Sequence, residues 1–199
     1  GYQIDALVTP KPVRLDEPVR DFELQNCETE AWVSVHEHAR EYAAIWLIGT
    51  TGWCSACKRY LFNGSVSSGV RVSPFEWADE YPRVRLMVVL GEDNLKGQPS
   101  IDFCRRYAGT YRDRWARERP DVRLPRALED ASLFFLDHNG RGAFSTLFDT
   151  LSPYPDADGR YNLPWNAVIS GGRAPIYLYV DNSDRGVRLS SVLTSLVAQ

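Results

Sequence analysis

The sequence holds one methionine and three histidines, and no apolar run in it approaches the roughly 18 residues of a membrane span. It has no excess of either charge: 23 basic and 26 acidic residues are interspersed and leave a formal net charge of −3. That balance excludes the basic stripe of a nucleic-acid-binding surface and a polybasic membrane patch. Four cysteines are too few for a disulfide-dense scaffold, and by themselves they leave the compartment open. There is no internal repeat or low-complexity tract, and no charged-then-apolar leader follows Gly1. What is present is core material. Of 199 residues, 44% are hydrophobic, with six Trp, ten Tyr and eight Phe, which suits one domain with additions or two small ones.

Residues 1–20, with Pro10, Pro12 and Pro18, read as an extended arm. Asp21 to Asn26 alternates as a short strand, and "AWVSVHEHARE" reads as a strand running into a helical turn. Tyr42 to Thr50 and Val84 to Asp93 are nearly continuous apolar runs, the pattern of strands buried on both faces beneath helices. "SIDFCRRYAGTY" reads as a helix capped by Ser100, with Ile101, Cys104, Ala108 and Tyr111 on one stripe. Residues 112–160 read as an insertion. It opens on the charged surface piece "RDRWARERPD", then holds a strand and turn in "SLFFLDHNGRG", a short helix in "AFSTLFDTL" and a loop. After it come a strand in "LPWNAVIS", a Gly171–Gly172 hairpin signal, a strand in "APIYLYVDN" and a closing helix. The order predicts an α/β sandwich with a mixed central sheet over 21–199.

The chemistry sits in "GTTGWCSACKRY". A strand ends in a turn, and Cys54-x-x-Cys57 opens a helix. Unpaired backbone N–H groups and the helix dipole favour an anion there, so the first cysteine is held as thiolate, the nucleophilic form. The second lies one turn on, close enough to attack a mixed disulfide formed at the first. Cys54 is therefore read as the attacking thiol and Cys57 as the resolving one, with Lys58 adding positive charge nearby.

"WCSACK" resembles the Trp-Cys-x-x-Cys-Lys motif of the thioredoxin superfamily, and its surroundings are similar to the TlpA/ResA-like branch. "NLPWNAVISGG" fits the same superfamily's cis-proline followed by an antiparallel strand. The resemblance implies a thioredoxin-like three-layer sandwich, with the insertion lying before the cis-proline strand. It also implies a substrate groove shaped by Pro164, lined by Trp53, Ser55, Ala56 and Lys58, in which the backbone of Leu163 meets an extended peptide. Two departures stand out. Ile48 occupies the position of thioredoxin's buried acid, and Tyr60 that of the glutamate found in the ResA-like branch. Glu129 and Asp130 are the replacement acids considered for Cys57.

The implied activity is thiol–disulfide exchange with cysteine-containing protein substrates. It needs no bound cofactor and no metal, only an external dithiol or disulfide partner, and no nucleic acid. The setting implied is extracytoplasmic, the bacterial periplasm or envelope, with the proline-rich arm leading to a membrane tether ahead of Gly1.

Other readings compete. A zinc site wants four ligands, whereas Cys27 and Cys104 stand singly and His36, His38 and His138 lack companion spacing. A peroxiredoxin-like peroxidase would use Thr51 three residues before Cys54, but Leu47 stands where its motif has proline. A binding module with an idle dithiol would expose Trp115, Phe134, Phe135, Phe144 and Phe148, unless these form a second small core. Cys104 reads as a small buried hydrophobe, and nothing supports a Cys27–Cys104 bond. His36 and His38 read as an exposed pair on a strand. Asp156 and Asp158 read as a solvated turn, because "DADG" lacks the distal glutamate of a calcium loop.

Overall fold

The computed structural model describes residues 13–65, 67–129, 132–137, 163–181 and 187–198. Asp130, His138, Phe144, Phe148, Asp156 and Asp158 lie outside the described residues, as does the helix expected in "AFSTLFDTL".

Seven strands form one mixed sheet: β1 (Glu23–Asn26), β2 (Trp32–Ser34), β3 (Ala44–Thr51), β4 (Val84–Glu92), β5 (Phe134–Leu136), β6 (Trp165–Ser170) and β7 (Tyr177–Val180), in the spatial order β2-β1-β5-β4-β3-β6-β7. β3, β4 and β5 are mutually parallel, while β6 runs antiparallel to β3 and β7 antiparallel to β6. All eight residues of β3 are buried, as its unbroken apolar run predicts.

Successive side chains leave a strand on opposite faces, and so the sheet carries two cores. One face holds Trp46, Ile48, Leu86, Val88 and Phe134; the other holds Ile45, Leu47, Met87, Val89 and Phe135. The first is covered by α2 (Ser55–Asn63), α3 (Pro74–Glu80), α4 (Ile101–Glu118), α5 (Arg126–Glu129) and α6 (Leu189–Val197). The second is covered by α1 (Val35–Glu41) through Val35 and Ala39, together with Val19 and Phe22. Helices on both faces make the three layers.

Several expectations are corrected. α4 does not stop near Tyr111 but runs to Glu118, with Trp115 only 1% exposed. Residues 112–118 are thus the last turns of a core helix, with Trp115 buried and the charged side chains on its outer face. The described members of the aromatic patch in the binding-module reading are neither exposed nor a second core: Trp115, Phe134 and Phe135 are buried in the two main cores. His36 and His38 lie on α1 rather than on a strand. His38 is half-buried with its ring edge-on to Tyr42 and Phe135, and burial with the neighbouring Arg85 charge lowers its pKa.

Residues 13–20 are extended but docked. The amide of Val19 donates to Pro175 O (2.9 Å), that of Asp16 to Tyr177 O (2.9 Å), and Pro18 bridges Ile176 beside β7. The largest correction concerns cysteine. Cys27, just past β1, is bonded to Cys104 in the first turn of α4, and both are buried. Cys104 is therefore a staple rather than a free thiol on an apolar stripe.

Candidate functional site

Cys54 is the N-cap of α2. Its Sγ accepts the backbone N–H of Cys57 at 3.1 Å, while its carbonyl takes the first helical bond, from Lys58 N–H. Cys54 and Cys57 form a disulfide with Cα atoms 5.3 Å apart. Cys57 is fully buried against the core and Cys54 is 5% exposed. Chain geometry creates this placement. β3 carries the chain to the end of the sheet, where Gly52 still donates to Glu92 O on β4 (2.8 Å); the Cys54 N–H then closes a turn onto Thr51 O (3.3 Å), and the next residues start the helix.

The antiparallel neighbour β6 begins at that same end, where Gly49 faces Trp165. A Cβ on Gly49 would lie 2.1 Å from the Trp165 indole, so only glycine admits this buried ring. Trp165 thus anchors its strand instead of lining a groove. The preceding Leu163–Pro164 peptide is cis.

Between α2 and the start of β6 lies a cavity of about 490 Å³. Ala56, Arg59 and Tyr60 line it from the helix, with Leu163, Pro164 and Asn166 opposite them. Tyr179, Asp181 and the serine loop after Gly64 complete the lining. Of the residues singled out in the sequence, Ala56, Leu163 and Pro164 meet here. Ser55 is exposed at the start of α2. Trp53 is 42% exposed; its indole N–H donates to Glu92 at 2.6 Å, and the Lys96 ammonium stands 5.2 Å from the ring centre. Lys58 faces the other way, into a depression shared with Thr110, Asp113, Arg114 and Arg117.

Behind the cavity lies a polar network that sequence reasoning missed. Asn166 Oδ1 accepts from the Trp46 indole N–H and from the Tyr60 hydroxyl, each at 3.0 Å. The Asn166 backbone N–H donates to Asp181 Oδ2 at 2.6 Å, and its side-chain amide donates to the same oxygen at 3.3 Å. The Tyr179 hydroxyl donates to Asp181 Oδ1 at 2.7 Å. Burial raises the Asp181 pKa despite these three donors. Burial also pushes the Tyr60 hydroxyl far above its ordinary range, so it stays protonated and donates. Of the two acids considered from sequence, Glu129 ends α5, which packs on α3 and α4, and does not line this cavity. Asp181 does. Its only sequence signal was an acid closing the apolar strand "YLYV".

The dithiol at a helix start, the parallel-to-antiparallel switch between β3 and β6, and a proline at the head of β6 decide the architecture. The fold is thioredoxin-like. No protein-family model matches the sequence, and no curated protein sequence matches it. Among solved structures, an uncharacterized conserved protein from Geobacillus kaustophilus is similar, with a TM-score of 0.52 and 15% identity over 92% of this chain and 80% of that one. A hypothetical protein from Sinorhizobium meliloti 1021 matches at a TM-score of 0.50 and 10% identity, covering 92% and 86%. A thiol:disulfide interchange protein of the thioredoxin family from Chlorobium tepidum TLS matches at 0.47 and 11%, covering 92% and 94%.

Proposed function

We propose that the protein is a thiol–disulfide oxidoreductase exchanging disulfides with cysteine-containing protein substrates. One observation carries the reading: Cys54 and Cys57 are bonded to each other at the N-terminus of α2, where the Cys57 N–H already points at Cys54 Sγ. In the reduced protein the same N–H and the helix dipole stabilise a Cys54 thiolate. The thiolate attacks a substrate disulfide, displaces one substrate sulfur and leaves a mixed disulfide. Cys57 then attacks Cys54, releases the second substrate sulfur and regenerates the bond seen here. Two electrons pass from protein to substrate, and an external dithiol restores them; run in reverse, the same steps oxidise a substrate. No bound cofactor takes part.

In this reading Leu163 presents its backbone to an extended substrate segment, Pro164 and Ala56 form the walls beside the dithiol, and Trp53 and Ser55 form the rim, while Lys58 lies on the far side of α2. The extracytoplasmic setting is supported by Cys27–Cys104, a second and buried disulfide of the kind that persists where thiols are not kept reduced. Among the described residues no helix is long and apolar enough to cross a membrane.

Insulin reduction with a dithiol donor tests the activity. Wild type is expected to be active and Cys54→Ser inactive. Cys57→Ser is expected to accumulate a mixed disulfide visible by mass spectrometry. Equal turnover by wild type and Cys54→Ser would refute the mechanism.

A further inference from the structure

The cavity beside Pro164 differs in kind from a site that only holds an extended backbone. At about 490 Å³ it lies within the roughly 300–1,000 Å³ of small-molecule sites. Such sites are mostly apolar with a few polar groups. This one is polar along one side, where Ser65, Ser67 and Ser68 stand, and carries both signs of charge. Arg59 is exposed and, among the described residues, forms no ion pair. Asp181 is half-buried, and its carboxylate accepts from three donors. A carboxylate offers about four acceptor positions, and donors among the described residues fill three of them. The two charges line one cavity without bonding to each other, and Ala56, between the two cysteines, lines it with them.

We propose that this cavity takes the amino-acid head group of a low-molecular-weight disulfide, so that Cys54 exchanges with small amino-acid-type thiols as well as with proteins. The inference rests on the oxidoreductase reading of the same dithiol. The ligand's carboxylate pairs with the Arg59 guanidinium and a serine hydroxyl, and its ammonium takes the fourth position on Asp181. The ligand sulfur is thereby held at the Ala56 side, towards Cys54. The exchange balances as one dithiol plus one small disulfide giving the Cys54–Cys57 disulfide plus two small thiols. Cys54 forms a bond to one ligand sulfur as the ligand S–S bond breaks and the first thiolate leaves. Cys57 then forms the protein disulfide and expels the second, and the two protons end on the released thiols. An external dithiol donor reduces the protein again.

The test uses the reduced full chain and three small disulfides: cystine, cystamine (no carboxylate) and 3,3′-dithiodipropionate (no ammonium). Stopped-flow tryptophan fluorescence gives second-order rate constants, each divided by that for free dithiothreitol to remove intrinsic reactivity. The normalised rate for cystine is expected to exceed both others by about fivefold or more, the effect of one ion pair at the favourable end of the exposed range. Arg59→Gln is expected to erase the advantage over cystamine and to keep that over dithiodipropionate. Equal normalised rates, or a cystine preference that Arg59→Gln does not move, overturn the inference. Insulin reduction is run alongside. If it proceeds while the small disulfides show no selectivity, only this inference falls; if no disulfide is exchanged at all, the oxidoreductase reading falls with it.

Discussion

Asn166 joins three elements through one side chain, accepting from Trp46 on β3 and Tyr60 on α2 while donating to Asp181 after β7. Asn166→Ala leaves two buried donors without an acceptor, at about 1–3 kcal/mol each. Urea unfolding should therefore show a loss of about 2–6 kcal/mol, and Asn166→Asp, which keeps the acceptor, should recover part of it. Asp181 gives a pH signature. Its folded pKa is raised by burial, so between its ordinary value and the folded one the native state binds more protons than the unfolded state. Stability then falls as pH rises through that window. Subtracting the Asp181→Asn stability curve from that of wild type should isolate this downward slope above pH 4; a flat or rising difference would show the carboxyl to be ordinary. The two cysteines were legible as single residues because their spacing is itself the signal. Asn166 was hidden within an apolar strand run, and nothing in local sequence says that Trp46, Tyr60 and Asp181 converge on it.

Among the elements, α4 shows how legible periodicity is and how charge can mask it. Cys104, Tyr107, Ala108, Tyr111 and Trp115 continue one buried stripe past Arg112. The dense arginines between them belong to the exposed face. α3 carried a signal that the sequence reading passed over, since Ser73 and Glu76 form a capping box with Pro74 in the first turn. The Cys27–Cys104 bond was not, because residues 77 apart meet only once the sheet has set the position of both elements. It closes a long loop, so Cys27→Ala/Cys104→Ala should lose about 2–4 kcal/mol on denaturation, far more than replacing the Cys54–Cys57 pair, whose loop is short. Gly49→Ala forces its methyl into the Trp165 ring. A cost of about 1–3 kcal/mol is expected, with slower insulin reduction because the strand behind Pro164 must shift.

At the scale of the whole molecule, the order of strands and helices was enough to predict an α/β sandwich with a mixed sheet, and the resemblance carried by "WCSACK" and "NLPWNAVISGG" supplied the thioredoxin-like layers. The apolar runs of β3 and β4 and the C-terminal hairpin have unmistakable periods. What joins them is topology. β3 ends and β6 begins at the same end of the sheet, so the dithiol and Pro164 come together although most of the chain lies between them. The two disulfides give a prediction at this scale. Protein exported to an oxidising compartment should show no alkylatable thiol before denaturation. The same chain made in a reducing cytoplasm should react with iodoacetamide and melt at lower temperature, and Cys54 should be labelled first. Identical melting temperatures would show that Cys27–Cys104 contributes nothing to the native state.

The order of the chain has one more effect. All four cysteines leave the ribosome ahead of Pro164, Asn166 and Asp181, so sulfur chemistry is open before the pocket that will govern it has been made. Four thiols can pair in three ways, and only one leaves Cys54 and Cys57 bonded to each other. Correct partnering therefore depends on β1 and α4 finding their places early. A slow first half of the molecule would deliver a scrambled covalent skeleton to a second half unable to repair it.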